Sequence, residues 1–256
     1  MSDAWKLFAD ELACWADEAR TVELWWRDDD AAGESAALRR LLTLSEGDGI
    51  ALGLAVIPQG VDPGMLSGLP STVAILQHGC DHANRALAGV KKCEFPESQS
   101  TEVRLARLVD ARASLARASG GRSLAVLVPP WNRLDDALAR RLPVVGYAGI
   151  SRFKARLRTQ AIPALLEVNT HADLIDWRDR QGQRGFAGDD AVLGQITGHL
   201  RAKRTDSAVV NEPTGLLTHH RVHDAEAWNF LARLFEFTRA HSHVHWRDPV
   251  ELFRPA

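Results

Sequence analysis

Cysteine is scarce in this chain: Cys14, Cys80 and Cys93 are the three present, and no two share a paired spacing. That argues against a disulfide framework and against a Cys-based zinc ribbon. Charge of one sign is lacking as well. Lys and Arg number 31 against 33 Asp and Glu, a formal net charge of -2, so there is no basic field to hold nucleic acid. The longest apolar stretches, such as Ile50–Ile57 and Leu124–Val128, are strand-sized and fall far short of the ~20 residues needed to cross a bilayer. The opening MSDAWKLFADELACWADEAR carries acids through its apolar positions and lacks the unbroken core of a signal peptide. Low-complexity runs, fixed-period repeats and long Pro/Gly/Ser linkers are missing too. The expectation is a cytoplasmic α/β enzyme or binding protein with no nucleic-acid or membrane partner; self-association is left open.

What is present suits one domain over 1–256, with an N-terminal helix in 1–20 and a core from about 21 to 250. The 256 residues are 45% hydrophobic, enough to bury a substantial core. Trp5, Phe8, Leu12 and Trp15 recur at three- and four-residue intervals, predicting an amphipathic helix. Strand-like and helix-like segments then alternate. Strands are expected over Val22–Arg27, Ile50–Ile57, Thr72–Gln77, Leu124–Val128, Val144–Ile150, Ala164–Val168, Gly215–Thr218 and Val244–Trp246. Helices are expected over Ser35–Glu46, Thr101–Ala118, Leu134–Leu142, from a cap at Asp189 or Asp190 to about Lys203, and over Asp224–Ala240. Short apolar strands separated by helices imply a mainly parallel sheet covered on both faces. Seven or eight strands in this length suit a closed (β/α) barrel better than an open sheet.

The polar clusters that are hard to explain as solvated surface begin at the C-terminal ends of these strands. They are Arg27-Asp28-Asp29-Asp30, His78 to His82, Trp131-Asn132-Arg133, Asn169-Thr170-His171 with Asp173 and Asp176, and His219-His220. In parallel α/β architectures those ends converge on the ligand-binding face. His78 and His82, four apart, would stack on one side of a helical turn and could share a metal. Three adjoining carboxylates beside a buried strand would repel unless a cation or Arg27 compensates. One of them on a metal and a neighbour acting as base resolves that problem, giving an Asp-His-His set with open positions. Two imidazoles and a carboxylate suit Zn²⁺, and Co²⁺, Fe²⁺, Mn²⁺ or Ni²⁺ would fit the same set. Cys80 should point away from the face the histidines share. Of His219 and His220 only one can face the site, where it could donate a proton. His241, His243 and His245 read as surface or edge residues.

The order of these motifs resembles the polysaccharide deacetylases, over roughly Val22 to His220. The carriers are Asp-Asp after the first strand, His-xxx-His, Pro-Pro-Trp (Pro129-Pro130-Trp131), Asp-xx-Asp-Trp (Asp173 to Trp177) and Leu-Thr-His (Leu217 to His219). The resemblance implies a distorted (β/α) barrel of about seven parallel strands and a metal-dependent hydrolase of carbon–nitrogen, non-peptide bonds. Such an enzyme removes an acetyl or other acyl group from an N-acetylated sugar or a related amide or ester. It also implies roles: Asp29 as general base, Asp30, His78 and His82 as metal ligands, and His219 as general acid. Asp28 is then the extra residue, and a one-position shift stays open. Asp173 or Asp176 would orient the histidine. Trp177 would wall the cleft together with Trp131, with Trp26 as a third candidate and Pro130, Asn132 and Arg133 nearby. This chain departs from the family in three places. Val128 stands where the family has the Arg that holds the base, and Arg27 or Arg133 is the substitute to look for. Gly79 replaces a hydroxyl residue, and Ala31 replaces a glycine. Two alternatives remain: the same site acting on a small cytoplasmic metabolite, and a non-catalytic carbohydrate-binding relative.

Overall fold

The structure is a computed structural model, and it describes residues 2–156, 161–180, 183–206 and 208–254. The strands are β1 (Val22–Ala31), β2 (Leu52–Val56), β3 (Val73–His78), β4 (Ser123–Val128), β5 (Gly149–Ile150), β6 (Leu166–Glu167), β7 (Ala172–Asp173), β8 (Ile175–Arg180), β9 (Gln183–Phe186), β10 (Thr214–Thr218) and β11 (Val244–Trp246). The helices are α1 (Asp3–Asp17), α2 (Ala36–Asp48), α3 (Pro63–Ser67), α4 (Thr101–Ala118), α5 (Asp136–Ala139), α6 (Asp189–Thr205), α7 (Ala225–Arg239) and α8 (Pro249–Leu252). None of the described helices is long and apolar enough to cross a membrane.

The main sheet runs β6-β5-β4-β3-β2-β1-β10-β7, with every pairing parallel and β11 added to the start of β1. Its two ends, β6 and β7, belong to one short stretch of chain. Val168 N–H donates to Ile150 O and Thr170 N–H to Arg152 O, while His171 N–H donates to Gly215 O. The stretch 166–173 therefore pairs with β5 by its first half and with β10 by its second. The sheet curls on itself into a distorted (β/α) barrel of seven parallel strand positions, as the sequence pattern and the resemblance imply.

Side-chain alternation along the strands sorts two layers. Trp25, Ala55, Leu76, Val126, Val128 and Val168 point inward and pack with Phe253 from beyond α8. Trp26, Leu52, Leu54 and Leu216 point outward and pack under α1, α2, α6 and α7. Gly215 has no alternative on β10: a Cβ there would lie 2.4 Å from Trp25 Nε1 and 2.6 Å from Asn169 O. The Trp5, Phe8, Leu12 and Trp15 stripe of α1 is buried, and each such side chain is worth about 1.5–3 kcal/mol of apolar transfer.

Several expectations need correction. The helix expected over 134–142 is reduced to α5, and the strand expected from Val144 begins only at Gly149, because Pro143 opens a 3-10 turn that leaves Val144 outside. The cap of α6 is Gly188, with no side-chain cap bond, rather than an aspartate. Trp26 is no cleft wall: it is fully buried in the outer layer and donates its indole N–H to Thr218 Oγ1 at 2.8 Å. The antiparallel hairpin β8–β9, which carries Asp176 and Trp177, has no counterpart among the expected elements.

Candidate metal and acid–base site

β1 runs through the acidic cluster instead of stopping before it, and its pleat gives each carboxylate a different job. Arg27 and Asp29 share the inward face. Arg27 is fully buried; its Nε and Nη2 donate to the two oxygens of Asp29 at 2.9 and 3.1 Å. The remaining guanidinium donors reach Ser151 Oγ (2.6 Å), Arg152 O (3.2 Å) and Asn132 Oδ1 (2.7 Å). A planar fork is the group suited to a bidentate hold on a buried carboxylate. Asp28 faces outward, where its Oδ2 accepts from Thr218 Oγ1 (2.7 Å) and His220 N–H (2.9 Å), and its Oδ1 lies 2.5 Å from His220 Nδ1. Burial opposes the charge on Asp28, but His220 outweighs it and holds the carboxyl below its ordinary range.

Alternation alone would send Asp30 outward beside Asp28. Between Asp28 and Ala31 the β1–β2 register shifts, and Asp30 adopts φ 72°. A bulge of this kind re-aims a side chain, and Asp is among the residues that tolerate the left-handed region. Asp30 Oδ1 consequently lies 3.0 Å from His78 Nε2 and 3.2 Å from His82 Nε2.

The histidine pair does not sit on a helical turn, contrary to the spacing argument. His78 closes β3, Gly79 turns with φ 59°, and His82 has φ 55°. Gly79 is required here: a Cβ would lie 2.1 Å from Glu94 Oε2 and 2.6 Å from Pro130 Cδ. The space a hydroxyl residue would need is thus occupied by Glu94, a residue with no local sequence signal. Its Oε1 accepts from the N–H groups of Cys80 (2.9 Å) and Asp81 (3.0 Å), shaping the turn. Burial pushes the Glu94 carboxyl up to about 7. Cys80 points away, its thiol 3.4 Å from Arg107 O, and burial pushes that thiol up, which disfavours the thiolate a metal needs.

The donor set fits a divalent cation. Asp30, His78 and His82 offer ligand atoms that all lie within 4.8 Å of one another. His78 Nδ1 sits 3.0 Å from Val128 O; donation to that carbonyl leaves the Nε2 lone pair facing the cluster, the usual arrangement for a ligating histidine. Burial works against charge on Asp30, yet His78, His219 and His82 together hold its carboxyl far below the usual range.

Around this cluster stand the other expected residues. Trp131, with φ 55° after Pro129-Pro130, packs against His82 with ring centroids 4.6 Å apart and the planes tilted by 49°. His219 is buried, its Nδ1 has no hydrogen-bond partner among the described residues, and its ring meets the edge of Trp177 at 4.6 Å. Trp177 donates its indole N–H to Asp173 Oδ2 at 2.8 Å, and Asp173 Oδ1 accepts from Ile175 N–H. Asp173 thus reaches His219 through the Trp177 ring. Burial raises the Asp173 carboxyl, with the charge of His219 opposing that rise. Asp176 pairs with Arg178 on the hairpin. Arg133 turns outward to Lys92 O at 2.7 Å; of the two arginines considered as substitutes at Val128, Arg27 is the one on Asp29. His220, behind the cluster, is the partner of Asp28, and no local pattern in the sequence links residues 192 apart.

No family profile matches the chain, and no curated protein does. Solved structures do. The peptidoglycan deacetylase PdaC from Bacillus subtilis is 13% identical with TM-score 0.55, over 91% of this chain and 90% of that one. A family 4 acetyl xylan esterase from Clostridium thermocellum, in complex with a cobalt ion, is 13% identical with TM-score 0.53, over 90% of each. A CE4-family pseudoenzyme from Bacillus anthracis is 12% identical with TM-score 0.56, over 92% of this chain and 66% of that one. The chain has the fold of the family 4 carbohydrate esterases and polysaccharide deacetylases.

Proposed function

We propose that the protein is a metal-dependent hydrolase that removes an acetyl or related acyl group from an N-acetylated sugar, or from a similar amide or ester. One observation carries this reading. A single carboxylate oxygen, Asp30 Oδ1, lies within 3.2 Å of two imidazole nitrogens, and the neighbouring carboxylate, Asp29, is clamped separately by Arg27. A ligand set and an independently held base are the two parts such hydrolysis requires.

Asp30, His78 and His82 would hold the cation, for which Zn²⁺ is the first choice by donor type. When bound, it supplies Lewis-acid polarisation of the scissile carbonyl and makes water acidic enough to lose a proton near neutral pH. Asp29, gripped on both oxygens and oriented by Arg27, takes the proton of the attacking water. The water oxygen bonds to the acyl carbon, the bond to the leaving nitrogen or oxygen breaks, and His219 supplies the proton that the leaving group takes away. Trp177, 40% exposed, and Trp131 flank the mouth as flat apolar walls suited to a sugar ring.

The Arg27 clamp supports catalysis over a purely binding role, since binding alone has no use for a buried, oriented base. The test is acetate release from N-acetylated chitooligosaccharides and small N-acetyl compounds, with and without chelator. His78→Ala is expected to lose the metal. Asp29→Asn is expected to keep it and lose about 10²–10⁴-fold in turnover, the usual worth of a general base. Full metal occupancy in His78→Ala, or undiminished turnover in Asp29→Asn, would overturn the assignment.

A further inference from the structure

Behind the Arg27 clamp lies a cleft of about 260 Å³ lined by Asn132, Asp136, Arg152, Lys154, Arg156 and Glu167, among others. It is joined directly to the base: Arg27, which grips Asp29, also donates to Asn132 Oδ1 and to Arg152 O. The walls carry three cations and two acids. Arg152 is engaged, its Nε and Nη2 on the two oxygens of Glu167 at 2.9 and 3.1 Å and its Nη1 3.2 Å from Asp136 Oδ1. Arg156 donates Nη2 to Glu167 O, while its Nε is buried without a hydrogen bond among the described residues, 3.9 Å from Glu212 Oε1 and 4.0 Å from Glu167 Oε2. Lys154 makes no ion pair among the described residues. It is exposed and adopts φ 86°, a left-handed conformation that non-glycine residues rarely take and that collects at functional sites. Lys154 thus carries a positive charge at the rim with no ion pair among the described residues, next to Arg156, whose charge faces Glu167 and Glu212 at about 4 Å. The cleft is smaller than the roughly 300–1,000 Å³ typical of whole-ligand sites and suits a substituent.

We propose that this cleft is an anion subsite of the catalytic mouth, which takes a carboxylate or phosphate group carried by the substrate. The inference rests on the hydrolase reading above for what the substrate is, but not for whether anions bind. The test titrates the metal-loaded protein and its Lys154→Gln and Lys154→Glu variants with N-acetylglucosamine, its 6-phosphate and its 3-O-lactyl ether. Lys154 is exposed, so the variants should fold, which circular dichroism checks. At least one charged compound is expected to bind about tenfold tighter than the neutral one, with the gap closing as salt rises and largely lost in Lys154→Glu. Which charged compound gains tells phosphate from carboxylate. Equal binding of all three, or a gap that survives Lys154→Glu because the anion sits at Asp30, His78 and His82 instead, would overturn the subsite. Acetate release separates the two readings. Charge-dependent binding without hydrolysis of any compound would remove the hydrolase and leave the subsite, and hydrolysis with no charge preference would do the reverse.

Discussion

Removal of the Arg27 guanidinium is the most informative perturbation. The side chain is fully buried and makes five hydrogen bonds, two to Asp29 and one each to Ser151, Arg152 and Asn132. Arg27→Ala leaves a carboxylate 1% exposed facing empty space, and breaking a buried pair by deleting one partner costs about 3–5 kcal/mol. At roughly 2–4 °C per kcal/mol for a chain of this size, the melting temperature should fall by roughly 6–20 °C. Among the described residues no hydrogen bond or ion pair joins Arg27 to Asp30, His78 or His82, so on the proposed roles the folded variant should still bind metal, while turnover drops by about 10²–10⁴ with the base misplaced. Adding Asp29→Asn removes the stranded charge, and the double variant should melt above Arg27→Ala, a coupling that independent sites would not show. Thermal melts, metal analysis and acetate release read all three. Arg27→Ala within about 0.5 kcal/mol of the parent, an ordinary surface-mutation effect, with turnover intact, would refute the clamp.

Gly79→Ala should destabilise by more than the roughly 1–2 kcal/mol cost of a left-handed backbone alone, since its Cβ would meet Glu94 and Pro130; a melt unchanged from the parent would contradict the packed turn. His220→Gln tests the buried pair with Asp28. His220 is raised from 6.5, so its contribution is complete below about 6.5 and is lost as pH climbs through the folded value. Asp28 is lowered from 3.8, so its contribution is complete above about 3.8 and is lost as pH drops through the folded value. Denaturant melts across pH should show the variant furthest below the parent, by about 3–5 kcal/mol, between those limits; a pH-independent difference would argue against an ion pair. Trp177→Ala removes the ring between Asp173 and His219 and the proposed sugar wall, so KM for an oligosaccharide should rise and kcat fall together; parent-like kinetics would take Trp177 out of the mouth.

Much of the barrel is legible in the sequence because its helices are amphipathic and its strands bury both faces. The Leu105, Leu108 and Leu115 stripe matches α4 to its ends, and Val244–Trp246 is β11. Legibility fails where backbone geometry overrides pattern. An acidic run reads as the end of a strand, yet β1 continues through it, because each carboxylate finds a buried partner. The bulge that turns Asp30 inward and the left-handed Gly79 leave no periodic trace, so the meeting of Asp30 with His78 and His82 follows from the shared barrel mouth and not from helical spacing. Val128 reads as a lost arginine, and the replacement at Arg27 is visible only once β1 is pleated. Glu94 sits in a loop, and the Asp28–His220 pair spans 192 positions; neither has a local pattern to reveal it.

Anomalous X-ray scattering from crystals grown with Zn²⁺ or Co²⁺ tests the central claim most directly. The account predicts one strong peak at about 2.0–2.2 Å from Asp30, His78 Nε2 and His82 Nε2, absent in His78→Ala crystals. A peak elsewhere, or none at full metal saturation, would contradict it.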